Sequence, residues 1–255
     1  MRKQDVSLLA SIGVIAFASI LSAQRPQPQK AGATAPAAAA AKPRDLSGVW
    51  TSRPPASARA YINSTFSRDE PAMTPWAETK YKATKPSNGP RTHSLEETND
   101  PVLKSCQPPG VPRIYLQPFP FQIVQAPKEL IMLYEYDHMV RHIYTDGRKH
   151  PDDPSLTYMG HSIGKWEGDT LVVDTTGFND KTWLDRTGHP HSEELHVVER
   201  FQRVGADMLH IDITMEDPKA LAKPWITQLV YQLKPGWEIS ELACTDNADF
   251  LGFEK

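Results

Sequence analysis

From Phe121 onward, apolar and polar residues alternate in short runs separated by turn formers, the period of two that predicts β-strands. FQIVQA (121–126) and ELIMLYEY (129–136) are separated by Pro127-Lys128, and VRHIYTD (140–146) closes on Asp146-Gly147. TYMGHSIGKW (157–166) turns at Glu167-Gly168 into DTLVVDTT (169–176). ELHVVERFQRV (194–204) turns through Gly205-Ala206 into DMLHIDITME. WITQLVYQL (225–233) and GWEISELAC (236–244) are joined by Lys234-Pro235, and Asp45–Thr51 supplies a short opening strand. Eight or nine consecutive strands with no helix between them predict a mainly β fold, an antiparallel meander. A closed barrel or tightly curled sheet removes the free edges of such a meander.

The first half of the chain reads differently. Residues 52–118 are crowded with proline and irregular, a strap with one helix: Thr74 as N-cap, Pro75 at the first helical position, then WAETKYKAT up to Lys85-Pro86. A segment of this length without regular structure is a functional lid or a wrapping strap. Before it, Met1-Arg-Lys and the apolar run Val6–Ala23, ending Leu-Ser-Ala, predict a secretory signal peptide over 1–23, an uncleaved anchor being the alternative. Residues 24–44 are Pro/Ala/Gln low complexity and read as a linker. The folded β domain is expected over 45–255.

Two strand registers carry chemistry. A two-residue turn at Glu167-Gly168 sets His161 opposite Asp174, and a pairing longer by one residue sets Thr176 there instead. In the later hairpin, pairing Arg200 with Asp212 puts Leu195, Val197, Phe201, Leu209, Ile211, Ile213 and Met215 on one face. Glu199 falls on that apolar face. A carboxylate there needs a partner or a purpose. It is read either as an acid/base group in a ligand cavity or as an ion pair with Arg203, Arg141 or Arg148.

The stretch His161–Arg200 holds four of the nine histidines and two of the six tryptophans. A His161–Asp174 pair would fix an imidazole tautomer for general-base work, or be a surface hydrogen bond. Asp185 and His191, on a long polar loop at a barrel mouth, are further acid/base candidates, with Trp183 shielding the site from water. His189 and His191 flank Pro190, and the absence of a third ligand at diagnostic spacing argues against a metal site. Tyr134, Tyr144 and Trp166 are candidate ligand-lining aromatics, with core packing as the plainer reading. No G-x-S-x-G, phosphate-cradling loop or dinucleotide fingerprint is present, so no cofactor is expected.

Composition narrows the setting. Two cysteines in an exported chain, Cys106 and Cys244, predict one disulfide contributing on the order of 4 kcal/mol. Removing residues 1–23 takes away Arg2, Lys3 and Asp5 and moves the formal charge from −3 to −4. With no basic block, nucleic acid is not an expected partner, and nothing after the cleavage point suggests membrane insertion. Periplasm and external medium are both open.

Gly48-Val-Trp50 followed by a meander resembles the lipocalin and calycin barrels, whose first strand carries G-x-W. This chain departs from them by placing its strap directly after that strand. Separately, DGRKHP (146–151), GHSIGKWEGDTLVVDT (160–175), TWLDRTGHPHSEELHVVER (182–200) and KPW (223–225) are similar to a family of uncharacterised exported β-rich proteins of soil bacteria. That likeness implies an exported β-rich domain and brings no catalytic residues with it. The combined expectation is a barrel that handles a small organic molecule by metal-independent acid–base chemistry of the isomerase, lyase or hydrolase type. A non-catalytic carrier, or a structural or interaction module, is the alternative.

Overall fold

The computed structural model describes residues 43–247 except 58, 60 and 62. The expected signal peptide and nearly all of the linker lie outside the described residues. Nine strands close into one barrel in chain order. They are β1 (Gly48–Ser52), β2 (Phe121–Gln125), β3 (Glu129–Tyr134), β4 (Val140–Tyr144), β5 (His161–Glu167), β6 (Thr170–Thr176), β7 (His196–Val204), β8 (Met208–Glu216) and β9 (Trp225–Leu233). The alternation that predicts them is visible in their burial: Leu130, Met132 and Tyr134 point inward on β3, and Leu209, Ile211, Ile213 and Met215 do so on β8.

Arg200 does pair with Asp212 and Phe201 with Ile211, and Glu199 lies inside the barrel with no exposed surface. Three expectations need correction. His161 pairs with Thr176, and Ile163 with Asp174, because the turn centres on Gly168-Asp169, with Gly168 at φ +59°. The slip is two residues on one strand, so His161 and Asp174 keep the same face as diagonal neighbours.

The second correction is that the meander is not wholly antiparallel. β4 and β5 pair in parallel, through Ile143↔Ser162 and Tyr144↔Ile163. Residues 145–160 make this possible, since they are long enough to return the chain to the end where β4 began. Gly160, at φ +67°, ends that connection, so the strand begins at His161 and not at Thr157.

The third is that 236–244 is not a strand. β1 takes the free edge of β9, with Trp50↔Leu233 and Ser52↔Tyr231, which leaves no ladder for another partner. This segment instead runs past the β3–β4 turn, where Leu242 bridges Tyr136. It ends at Cys244, which is disulfide-bonded to Cys106 at a Cα–Cα distance of 5.6 Å.

The strap is more ordered than its composition suggests. α1 (Pro75–Ala83) starts where expected, with the Thr74 side chain accepting from the Ala77 N–H. A second short helix, α2 (Pro101–Ser105), is capped in the same way by Asp100. A 3-10 turn at Arg113–Leu116 is wholly buried, and its Tyr115 ring packs among Phe121, Tyr134 and Tyr231 inside the barrel. The strap therefore supplies part of the core.

Candidate functional site

Inside the barrel, Glu199 is committed. Arg141 on β4 grips both its oxygens, with Nη1 donating to Oε1 at 2.9 Å and Nη2 donating to Oε2. Tyr115 Oη donates to Oε1 at 2.6 Å. The remaining Arg141 donors go to Tyr115 Oη at 2.8 Å, Ser162 Oγ at 3.1 Å and Thr175 Oγ1 at 2.9 Å. Burial opposes a charge on Arg141, yet the Glu199 carboxylate holds its pKa above the ordinary arginine value. Neither Arg203 nor Arg148 is the partner: Arg203 donates to the Asp45 and Ala206 carbonyls, and Arg148 pairs with Asp146. Tyr134 lies beside this network, its phenol pushed up to about 12 by burial. None of the cavities described below is lined by Glu199.

On the outer face, His161 and Asp174 meet through a residue the sequence did not single out. His150 Nε2 lies 2.9 Å from Asp174 Oδ1, and His150 Nδ1 lies 2.8 Å from His161 Nδ1. His196 Nε2 reaches the other Asp174 oxygen at 3.1 Å. Burial, then the neighbouring His150, pulls the His161 pKa below the usual histidine value. Tyr144 packs against the His161 ring at 5.6 Å, and Trp166 lines a neighbouring cavity that Asp174 also reaches.

The loop 177–193 holds the arrangement with most chemical content. Asp185 is fully buried, and its Oδ1 accepts the backbone N–H groups of Thr187, Gly188 and His189 at 3.0, 3.1 and 3.2 Å. This carboxylate-capped turn needs Gly188 at φ +99°, where a Cβ would lie 2.4 Å from Thr84 Oγ1. Asp185 Oδ2 accepts from Thr187 Oγ1 at 2.8 Å and holds His189 Nδ1 at 2.8 Å. The far nitrogen, His189 Nε2, meets Glu70 Oε2 from the strap. Tyr81 on α1 stacks on the imidazole at 4.5 Å and 11°, Trp225 meets it edge-on at 5.2 Å, and Tyr81 Oη donates to Glu70 Oε1 at 3.1 Å.

Electrostatics follow from that geometry. Burial by itself would lower the His189 pKa, but the Asp185 charge and hydrogen bond, with those of Glu70, raise it to about 9. Burial would raise Asp185, and the His189 charge overcomes it and lowers the value. Glu70 is lowered chiefly by its hydrogen bond to His189. At neutral pH the trio is therefore an imidazolium between two carboxylates. A cavity of about 320 Å³ opens on it, lined by Tyr61, Ser64, Thr65, Arg68, Glu70 and His189 among others. Glu70 is half exposed there, whereas Asp185 lines none of the described cavities and touches this one's wall through His189.

His191 does not join this group. It lines a separate cavity of about 250 Å³ together with Trp183, so the two histidines of His-Pro-His face different spaces. Among the described residues no group of three or more His, Cys, Asp or Glu is placed to hold a metal ion. His191 Nε2 is buried without a hydrogen-bond partner, a state that costs about 1–3 kcal/mol.

Sequence reasoning missed Glu70 and the roles of His189 and His150. Glu70 sits in the strap, 119 residues from His189, where no periodicity marks it. Asp185 followed by Thr187, Gly188 and His189 was the available signal, since Asp at the start of a turn ending in Gly caps its own backbone. Comparison with family models, curated proteins and solved structures finds no match.

Proposed function

We propose that this is an exported barrel protein that handles a small polar organic molecule in the cavity beside Glu70, using Glu70 as the group that exchanges protons with it. One observation carries the reading: His189 is clamped between a buried carboxylate and a half-exposed one at the wall of that cavity. Asp185 is the positioning residue, fixing the imidazole and favouring its charged form. His189 holds a proton on Nε2 directly against Glu70. Glu70, a carboxylate at neutral pH, takes a proton from one atom of the bound molecule and returns it to another, while the His189 imidazolium keeps its own proton and balances the charge beside it. This is proton-transfer chemistry of the isomerase, lyase or hydrolase kind, with the side-chain hydroxyls of Tyr61 and Ser64 at the cavity wall to orient a hydroxylated ligand. The Cys106–Cys244 bridge supports export to an oxidising compartment.

The test incubates purified protein in deuterium oxide with a panel of sugars, polyols and hydroxy acids and follows proton exchange and product formation by NMR. Wild type is expected to catalyse exchange or conversion of a bound member, with at least a hundredfold loss in Glu70→Gln. Binding without any exchange or conversion would support the carrier reading instead. Equal rates in wild type and Glu70→Gln would remove Glu70 from the chemistry.

A further inference from the structure

The two ends of the 177–193 loop, with α1 and the strap, enclose a cavity of about 250 Å³ that shares no wall residue with the one beside Glu70. Its wall includes the buried side chains of His191, Trp183 and Thr182. It also carries three exposed charges, Lys80, Lys181 and Asp180, for a net of one positive.

The tautomer of His191 is set by its neighbour. Nδ1 lies 3.1 Å from the Ser192 carbonyl oxygen, which can only accept, so Nδ1 carries the hydrogen and donates it. Burial lowers the pKa of the ring, leaving it neutral with a lone pair on Nε2. That atom is buried and unpartnered. The ring's anchor is itself tied down, because Asp217 accepts the Ser192 N–H at 2.6 Å and the Ser192 hydroxyl at 2.8 Å. Only a hydrogen-bond donor satisfies the vacant lone pair, and the net positive rim favours a single negative charge on whatever brings that donor.

We propose that this cavity binds a small hydroxycarboxylate, its hydroxyl donated to His191 Nε2, its carboxylate held by Lys80 and Lys181, and its body against Trp183. The size agrees, since drug-sized ligands occupy cavities from about 300 Å³ upward and this one is smaller. The site stands apart from the Glu70–His189 reading, and either can fail without the other.

The test uses the full chain labelled with ¹⁵N-histidine. 4-Hydroxybenzoate and lactate are the probes, and 4-methylbenzoate and propionate are their hydroxyl-free counterparts. The hydroxylated probes are expected to bind at least tenfold more tightly than the counterparts and to move the Nε2 resonance of His191. In His191→Phe the tenfold preference collapses to about one. In Lys181→Ala, a change at an exposed position, all four carboxylates weaken several-fold while the hydroxyl preference persists. Should His191→Phe fail to fold, Lys181→Ala and the wild-type Nε2 signal carry the test. An Nε2 signal unmoved by both hydroxy acids, equal binding of the paired probes, or a preference surviving in His191→Phe would overturn the proposal.

Discussion

Tyr115 Oη donates a 2.6 Å hydrogen bond to Glu199 Oε1, joining a proline-rich strap to the middle of β7 across 84 residues of sequence. The bond completes a buried network in which every Glu199 oxygen and every Arg141 nitrogen has a partner. Burial lifts the Tyr115 phenol well above its ordinary value, so it remains a donor throughout the accessible pH range. The strap thus enters the barrel as a structural component and neutralises the polarity that the strands place there.

That network should behave as a unit. Removing either member of the ion pair leaves the other charge buried, so Glu199→Ala or Arg141→Ala should each cost about 3–5 kcal/mol in urea denaturation. Tyr115→Phe removes the hydroxyl that donates to Glu199 and accepts from Arg141 Nη1 but leaves the ion pair in place, and should cost about 1.5–3 kcal/mol. The double variant Glu199→Leu/Arg141→Met should be more stable than either alanine variant. A Glu199→Ala protein within about 1 kcal/mol of wild type would mean the carboxylate is not buried as an ion.

The disulfide should matter as much. Cys106 and Cys244 are 138 residues apart, and closing a loop of that size is worth about 5 kcal/mol on the chain-entropy estimate. Replacing both cysteines by serine should lower the melting temperature by roughly 10–20 °C for a domain of this size. A thermal melt of the oxidised protein beside the double variant measures it, and coincident curves would show the bridge to be redundant.

How much of this was legible follows from which physics leaves a mark in sequence. Burial on a strand does, so the inward row from Leu209 to Met215 and the misplaced Glu199 could be read directly. A two-cysteine chain also leaves only one intramolecular pairing. The partner of Glu199 could not be read, because Arg203 shares its strand while Arg141 and Arg148 lie on or just after β4, three strands away, and only the folded barrel selects one. The parallel β4–β5 pair was hidden in the irregular 145–160 connection, where the residues Thr157–Gly160 imitate the start of a strand in sequence alone. At the candidate site, Asp185 was visible as a loop carboxylate. Its output through His189 to Glu70 was not, since contacts between a loop and an irregular strap obey no period.

The strap is also fixed by a backbone contact that admits no side chain. Gly110 sits at φ +71°, and a Cβ there would lie 2.5 Å from the Tyr158 carbonyl oxygen, which also accepts the Val111 N–H at 3.1 Å. Because that obstacle is backbone, relief requires the strap to move off the 157–160 segment. Gly110→Ala should therefore destabilise by more than about 2 kcal/mol, whereas Gly147→Ala, with open space around the position, should cost less. Equal denaturation midpoints for the two variants would show that the strap is not seated there.

The Asp185–His189–Glu70 trio predicts a stability maximum with a defined alkaline edge. His189 has a folded-state pKa of about 9, above its unfolded value of about 6.5, so its contribution is complete below pH 6.5 and is lost as pH rises through 9. The difference corresponds to on the order of 3 kcal/mol. Asp185 and Glu70 are lowered, so their contribution is present above the ordinary carboxylate range and is lost as pH falls below it. Tyr81, stacked on the imidazole, has a raised pKa and does not ionise inside this window. Urea midpoints should therefore fall between pH 7 and pH 9.5 in wild type and stay level in His189→Asn over the same interval. The His189 Cε1–H signal, followed by NMR, should titrate near pH 9, and a midpoint at or below 6.5 would show that the ring is not held between two carboxylates.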